Sequence, residues 1–417
     1  MPSDHRVTVH EVTHNNGQYS PRDAEALNKE KVTTGAALRV AAAAVLGLVS
    51  LLILFRAPVY PLWKAEIAAT EWSYYLAIAG VVVLLLTVWK RGRFSQLTGV
   101  FSVLVICIAS TPVLRGVRIA RTLPSRLDAA FPPALALPSA SPAGRPRPLR
   151  LKTLFARAGA RDVHIKVVNY ASRRSGSLQL DLYRSRVPGV EQPIVIVVHG
   201  GSWHGGNRKD LPELNYYLVS QGYLVAAISY RFAPEFPDPA ATEDLEAAIE
   251  YLKVNAARLG GDSTRIALVG RSAGAHLVLL SAYRKRDAAI RGVVAFYPPT
   301  DQFYGYAHPS TVIPSRQILE DYIGGTPQSN TRAYARNSPI GFVGPDSPPT
   351  LLIHGSRDEL VAVEQSRMLD GRLSVAHRPH LLLELPWATH GCDYVFNGPC
   401  GQLSTYAIAR FLERVLH

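Results

Sequence analysis

The chain has 417 residues, of which 47% are hydrophobic, so it is long enough for one large domain or two smaller ones and is not a disordered polypeptide. Its formal charge is +13. The excess of Lys and Arg is concentrated between residues 90 and 152, where it flanks apolar segments. We therefore expect anionic lipid headgroups as the partner, and no nucleic acid.

The first part of the chain predicts a membrane region. A polar tail over residues 1–35 precedes three stretches that are almost free of charge, at about 36–55, 72–89 and 94–114. Each is about as long as a bilayer requires, and Trp and Tyr residues lie near their ends. Buried core helices would carry a polar stripe, which these stretches lack. We therefore predict an all-α transmembrane region of three helices over 36–114 and a multi-pass protein of the plasma membrane.

The orientation rests on charge. The short basic segment Lys90–Arg93 is typical of a cytoplasmic loop, which would place the C-terminal part outside the cytoplasm. The arginines that follow the third stretch, between residues 115 and 126, favour the opposite orientation. Cys392 and Cys400 are a candidate disulfide pair, which an oxidising compartment would allow. The segment 115–150 is basic and rich in Pro and Ala, and it predicts a semi-rigid linker.

From residue 151 to 417 strands and helices alternate. The predicted strands are 163–170, 177–183, 194–198, 223–228, 265–269, 290–297, 350–354 and 380–385, and the first two form an antiparallel pair. The predicted helices are 240–259, 273–283, 363–375 and 402–416. This alternation predicts a mostly parallel central sheet with helices on both faces, with the site beyond the carboxyl ends of the strands.

The strongest local motif is the pentapeptide Gly270-Arg271-Ser272-Ala273-Gly274, which follows a predicted strand and opens a predicted helix. A G-x-S-x-G sequence at such a turn forms a strained elbow that exposes the serine above the sheet. Ser272 is therefore the candidate nucleophile. A serine hydroxyl needs a base, and that base needs a group that orients it.

Asp358 and His390 follow the predicted strands 350–354 and 380–385, and they come after Ser272 in the required order of serine, acid and histidine. We assign His390 as the base and Asp358 as the orienting acid. Glu359 is the nearest substitute for the acid, and Asp393 is a weaker one. Four other histidines are set aside, since His377 and His380 lie at the wrong end of a strand and His276 and His354 are expected to pack or to bond loops.

A Gly-rich segment follows the strand 194–198. There His199 precedes Gly200 and Gly201, whose backbone N–H groups are open to close approach because no Cβ intervenes. Together with the N–H of Ala273 they are the candidate oxyanion hole. Trp203 either lines the substrate pocket or packs in the core.

The chain from about 163 onward resembles the α/β-hydrolase esterases of the hormone-sensitive-lipase-like group. The resemblance is carried, in order, by His199-Gly200-Gly201, Tyr230–Glu235, the start of the helix at Asp238–Leu252, Gly260-Gly261-Asp262, Gly270–His276, Ile353-His354-Gly355 with Asp358, and His390-Gly391. It implies the α/β-hydrolase fold and hydrolysis of carboxylic esters through an acyl-enzyme, with no metal or organic cofactor. It also implies that Tyr230–Glu235 and Asp244 support the site rather than react.

The chain departs from that family at its N-terminus, where membrane segments and a linker stand in place of the usual cap. The stretch 298–349 is the one sizeable insertion that would act as a lid. The sequence His199–Trp203 also resembles the motif of arylformamidases, and part of the serine motif resembles the membrane-bound isoprenylcysteine methylesterases.

We therefore expect a membrane-anchored serine carboxylesterase or lipase that acts on small or lipid-like esters. An amidase or arylformamidase using the same site is the alternative among enzymes. A catalytically silent hydrolase-like binding protein is the alternative from another class.

Overall fold

The structure, a computed structural model, describes residues 21–90, 92–132, 145–156, 163–174, 176–185 and 191–417, with side chains described from residue 34 onward. Its N-terminal region is helical, with α1 at Pro21–Leu54, α2 at Tyr60–Glu71, α3 at Ser73–Val88 and α4 at Arg93–Ala130. Within this described part, two helices are long and apolar enough to cross a membrane, Thr34–Leu54 within α1 and α4. The pair α2 and α3, which meet at 71°, would count as a third span if taken together.

This region differs from the prediction in three places. Helix α1 begins at Pro21, inside the predicted tail, whose residues 1–20 lie outside the described part. Helix α2 was not predicted, because Lys64, Glu66 and Glu71 interrupt its apolar residues. Helix α4 continues to Ala130, so the predicted linker boundary at residue 114 is wrong for 115–130; residues 133–144 of that linker lie outside the described part.

The physical reason for the longer α4 is packing. Leu123 and Leu127, with Phe131 after the helix end, are buried in one of the cores of the C-terminal domain. The ring of Phe131 meets Phe411 edge to face, with 4.8 Å between the ring centroids. The second half of α4 is therefore part of that domain, whereas its first half exposes large apolar side chains.

The predicted mostly parallel sheet is confirmed. Its eight strands lie in the order β1-β2-β4-β3-β5-β6-β7-β8. They are β1 at Val163–Arg173, β2 at Gly176–Ser185, β3 at Gln192–Val198, β4 at Leu224–Ile228, β5 at Gly261–Arg271, β6 at Ile290–Phe296, β7 at Thr350–Gly355 and β8 at His380–Leu385. The opening pair β1 and β2 is antiparallel, β2 is antiparallel to β4, and the other neighbours are parallel.

Helices cover both faces of the sheet. The remaining helices are α5 at Glu213–Ser220, α6 at Ala240–Leu259, α7 at Ala273–Lys285, α8 at Gln302–Ala307, α9 at Ser315–Ile323, α10 at Thr331–Arg336, α11 at Glu364–Val375 and α12 at Pro399–Leu416, with short 3₁₀ turns at Leu151–Phe155, Pro339–Phe342 and Cys392–Tyr394. Alternate residues of the buried strands enter two cores, as the period of a strand requires. Ile194 and Ile196 join the core beneath α6 and α7, whereas Val195 and Val197 join the core beneath α4, α5 and α12.

The order of the strands places the functional motifs. Strand β3 lies between β4 and β5, where the order of the sheet reverses, and Val198 at its end pairs with Gly270 of β5. Crevices at such switch points are the usual binding sites of open α/β sheets. The Gly-rich loop after β3 and the serine after β5 therefore leave the sheet side by side.

Candidate active site

Ser272 occupies a strained turn between β5 and α7. Its φ is +52°, in the left-handed region that an L-residue enters only at a cost. The flanking glycines are required by their surroundings, since a Cβ on Gly270 would collide with the backbone of Gly274, and one on Gly274 would collide with the carbonyl oxygen of Val198. Ser272 is thereby held at the end of the sheet and at the N-terminus of α7, half-buried and lining a cavity.

The structure brings Asp358 and His390 together across 32 positions of sequence. The imidazole Nδ1 lies 2.7 Å from Oδ2 of Asp358, and both side chains are buried. Asp358 lies on the turn after β7 and His390 on the loop after β8, which are neighbouring parallel strands. A hydrogen bond of this kind leaves the other ring nitrogen free to act as a base.

Asp358 is held from every side. Its Oδ1 accepts hydrogen bonds from the backbone N–H groups of Leu360 and Val361, at 2.9 and 2.8 Å. Its Oδ2 is also 3.1 Å from Nε2 of His354, whose Nδ1 lies 2.7 Å from the hydroxyl of Ser366. Burial by itself would raise the pKa of Asp358, but the two imidazoles hold that pKa well below its usual range. The carboxylate is therefore charged and fixed in orientation.

Two links connect Ser272 with His390. The N–H of Ser272 donates to the carbonyl oxygen of Phe296, and the ring of the next residue, Tyr297, lies 4.2 Å from the imidazole between centroids. Among the residues described, no hydrogen bond joins the Ser272 hydroxyl to His390 itself. In free enzymes such bonds are often long and tighten only when substrate binds.

The substitute acids are engaged elsewhere. Asp393 pairs with Arg271 at 2.5 Å and accepts a hydrogen bond from the Tyr297 hydroxyl at 2.6 Å. Glu359 accepts a hydrogen bond from Thr389 at 2.6 Å, and burial, with the charges of Glu66 and Asp358, raises its pKa to about 7. Of the three carboxylates, Asp358 is the one that contacts the His390 ring.

The Gly-rich loop lies against the serine. A Cβ on Gly200 would lie 2.9 Å from the carbonyl oxygen of Arg271 and 3.2 Å from Cβ of Ser272, so only glycine fits without a shift. Gly201 has a φ of +120°, and its carbonyl oxygen accepts from the N–H groups of His204 and Gly205. Within the described part of the chain, the N–H groups of Gly200 and Gly201 have no hydrogen-bond acceptor. They are therefore available to a ligand.

His199, which precedes the two glycines, supports the Gly-rich loop. His199 stacks on Tyr230 with 4.5 Å between ring centroids, and the Tyr230 hydroxyl donates to the His199 carbonyl oxygen. Burial lowers the pKa of His199. Asp244 binds the guanidinium of Arg231 at 2.8 Å, which fixes the segment that begins at Tyr230. Both contacts keep the loop in place and involve no reacting atom.

A cavity of about 600 Å³, including space open to solvent, lies beside Ser272. Its walls are mostly apolar, and they come from the loop after β3, from α8 and α9 and from the segment that follows Asp358. Helices α8, α9 and α10 lie within the predicted lid, 298–349. Trp203 does both things that the sequence left open, since it lines this cavity and also stacks on Tyr322 at 4.4 Å and donates to Nδ1 of His276.

Sequence reasoning missed the part of the site that comes from the N-terminal region. The indole N–H of Trp63, in α2, donates to the backbone carbonyl oxygen of His390 at 3.2 Å. Arg357, which directly precedes Asp358, binds Glu66 of the same helix at 3.0 Å. The available signal was Pro61 at a helix start followed by Trp63 and Ile67 at helical spacing. Cys392 and Cys400, left open as a pair, are bonded to each other with 5.8 Å between their Cα atoms.

Comparison with known proteins finds similarity to proteins that are named as esterases. Residues 180–373 match the BD-FAE family model. Esterase LipC of Mycobacterium tuberculosis is 32% identical over 57% of this chain and 62% of its own length. The probable carboxylic ester hydrolase LipM of the same organism is 28% identical over 65% of this chain and 64% of its own. The matches thus span less than two thirds of either relative.

Solved structures give the fold. A bacterial heroin esterase has a TM-score of 0.56 at 20% identity, over 62% of this chain and 86% of its own. The esterase of the archaeon Pyrobaculum calidifontis has a TM-score of 0.54 at 24% identity, over 61% of this chain and 85% of its own. The α/β-hydrolase fold and the predicted resemblance to esterases of that fold are therefore confirmed.

Proposed function

We propose that this chain is a serine hydrolase of carboxylic esters that works through an acyl-enzyme. The observation that carries the proposal is the bond between Asp358 and His390, formed beside a nucleophile elbow at Ser272. The names of the relatives LipC and LipM support the ester specificity. The same chemistry would also serve an amidase or arylformamidase, which the choice of substrates below separates.

In the proposed reaction the free nitrogen of His390 takes the proton from the Ser272 hydroxyl as its oxygen attacks the ester carbonyl carbon. The negative charge on the tetrahedral oxygen is met by the N–H groups of Gly200, Gly201 and Ala273. The imidazolium, stabilised by Asp358, gives its proton to the departing alcohol as the carbon–oxygen bond breaks. A water molecule then attacks the acyl-serine in the same way and releases the acid, which restores the enzyme.

We further propose that the hydrolase domain lies outside the cytoplasm, on the surface of the membrane. The C-terminal end of α1 and the start of α3 contact the hydrolase domain, whereas the end of α3 at Val88 and the start of α4 at Arg93 lie at the other end of α3. That distal end carries Lys90 and Arg93, as a cytoplasmic loop does. The disulfide between Cys392 and Cys400 also supports an oxidising compartment.

Two of the arginines that favoured the opposite orientation, Arg115 and Arg126, contact the hydrolase domain. Arg126 donates to the carbonyl oxygen of Leu382 at 2.9 Å, and Arg115 lies 3.5 Å from that of Pro386. These contacts join α4 to the hydrolase domain. Their positive charges therefore bear less on the orientation of the spans than the distal loop does.

Labelling and turnover of the full chain in detergent micelles test the proposal. We expect a fluorophosphonate probe to label the wild type and the Ser202→Ala variant, which loses a different serine of the same cavity, but not Ser272→Ala. Aryl esters from acetyl to palmitoyl should be hydrolysed, and an aryl formamide should react more slowly. A faster formamide would favour the amidase. Labelling that survives in Ser272→Ala would refute the nucleophile, and neither labelling nor turnover would indicate a silent binding protein.

A further inference from the structure

Helix α2 lies on the hydrolase domain, between two segments that lead into the membrane. It begins six residues after α1 ends and meets α3 at 71°. One side of α2 is buried, at Trp63, Glu66, Ile67, Ala69, Thr70 and Glu71. A helix that served only to connect two spans would have no reason to bury two carboxylates. The contacts of its buried side explain them.

The first contact holds the turn that carries Asp358. The guanidinium of Arg357 donates to the carbonyl oxygens of Ile53 and Leu52, at 2.8 and 3.2 Å. These carbonyls lie in the last turn of α1, where a helix has no internal donors for them and where a cation is favoured. The same guanidinium donates twice to Oε1 of Glu66, at 3.0 and 3.2 Å. The other oxygen of Glu66 accepts from the N–H of Ala57.

The second contact holds the loop that carries His390. The indole N–H of Trp63 donates to the backbone carbonyl oxygen of His390 itself. At the end of α2, the carboxylate of Glu71 accepts from the indole N–H of Trp387 at 3.0 Å and from the backbone N–H of Cys400 at 2.9 Å. Groups of α2 therefore bind both before and after His390 in the sequence.

The two loops are also tied to each other. The backbone N–H of Arg357 donates to the carbonyl oxygen of Ala388, and Thr389 donates to Glu359. Beside them, the cavity residue Leu360 packs against a small cluster formed by Ala57, Trp63 and Ile67. A displacement of α2 therefore moves the acid, the histidine and one edge of the cavity together.

We propose that α2 is the element that positions the acid and the histidine, with Trp63 and Glu66 as its positioning residues. The inference rests on the triad of the proposed function. In this arrangement the membrane region is more than an anchor, because the hydrolase domain reaches full turnover only when α2 is docked. The proposal concerns alignment of the catalytic groups, so it predicts an effect on kcat per active site and not on the affinity for a small substrate.

The test uses the full chain in detergent micelles and a short aryl acetate. Trp63→Phe keeps an aromatic ring but loses the donor to His390, and Trp72→Phe is its matched control because Trp72, next in the chain after α2, is exposed. We expect kcat of Trp63→Phe to fall about tenfold or more with KM changed less than twofold, and Trp72→Phe to match the wild type. Glu66→Gln, which leaves Trp63 in place, should also lower kcat.

Active-site titration with the fluorophosphonate separates alignment from folding. Turnover is divided by the number of labelled sites, so a variant that only unfolds in part has fewer sites and an unchanged kcat per site. An unchanged kcat per site in both Trp63→Phe and Glu66→Gln would overturn the inference. Ser272→Ala keeps the two proposals distinct, since activity or labelling in that variant refutes the triad, whereas its silence together with fully active α2 variants refutes the positioning role alone.

Discussion

Asp358→Asn tests the core of the candidate site, and the contacts of Asp358 decide how an amide would sit there. Two backbone N–H groups, of Leu360 and Val361, point at Oδ1. An amide nitrogen at that place would set donor against donor, so the oxygen of Asn must stay there. Its NH₂ group then occupies the place of Oδ2 and faces the rings of His390 and His354.

That orientation inverts the histidine. An NH₂ group donates and does not accept, so Nδ1 of His390 must present its lone pair, and the ring proton must move to Nε2. A protonated Nε2 is no longer a base for Ser272, and the imidazolium that forms during attack loses its negative partner. We expect kcat to fall about 10³–10⁴-fold, which corresponds to ~4–5.5 kcal/mol in activation free energy.

The assay is hydrolysis of an aryl acetate by the full chain in detergent micelles. The rate is divided by the protein concentration, and a thermal melt of each variant establishes that it is folded at the assay temperature. Glu359→Gln is the matched control, because it removes the adjacent carboxyl, which contacts Thr389 and not His390. The control should stay within about threefold of the wild type. An Asp358→Asn variant within tenfold of the wild type, or a Glu359→Gln variant as slow as Asp358→Asn is expected to be, would refute the assignment of the acid.

Two further predictions concern the oxyanion loop and the raised pKa of Glu359. Gly200→Ala should lower kcat/KM for the aryl acetate about 10²–10³-fold, because the new Cβ pushes the loop away from Ser272. Gly205→Ala is the control and should leave kcat/KM nearly unchanged, because its Cβ would meet no atom within 4 Å. Equal activity of the two variants would contradict the oxyanion role. The raised pKa of Glu359, about 7 against a usual 4.5, means that its contribution to stability is complete below pH 4.5 and is lost as the pH rises through 7. As the pH rises from 5 to 8.5, the free energy of unfolding of Glu359→Gln should therefore increase relative to that of the wild type. The expected difference is ~1 kcal/mol, because Glu359 is partly exposed and interacts with Glu66. Thermal melts that show no such pH dependence would count against the raised pKa.

Much of the hydrolase domain could be predicted from sequence because its signals are local. Several buried strands are short apolar runs followed by a glycine or a polar residue, as Ile194–Val198 is followed by His199, and the helices between them have a clear apolar face. The G-x-S-x-G elbow at Ser272 is also a local signal, because the backbone of Gly274, which a Cβ on Gly270 would meet, lies within the same five residues. Asp358 and His390 were predicted from their places after strands in the order serine, acid and histidine, and their contact follows because β7 and β8 are neighbours in the sheet.

The role of α2 was not predictable in this way. Its partners, Arg357 and His390, lie about three hundred positions further along the chain. The periodicity of a segment predicts its own secondary structure and does not indicate which distant segment it contacts. Glu66 and Glu71 further disguised the helix, since charged residues beside an apolar stretch indicate the end of a span. The continuation of α4 beyond residue 114 was not predicted, because Pro124 and the arginines around it favour a linker.

The buried carboxylates of α2 have a physical role that apolar residues at the same positions would not fill. An apolar face packs almost equally well in several registers, because the hydrophobic effect has no direction. Glu66 and Glu71 accept hydrogen bonds from fixed donors, the guanidinium of Arg357 and the indole of Trp387, so a shift of one helical turn would leave buried donors and carboxyl groups without partners. These hydrogen bonds therefore favour one position of the helix over its shifted alternatives. A helix that must align two catalytic loops needs that selectivity, which explains why α2 buries two carboxyl side chains where it lies on the candidate site.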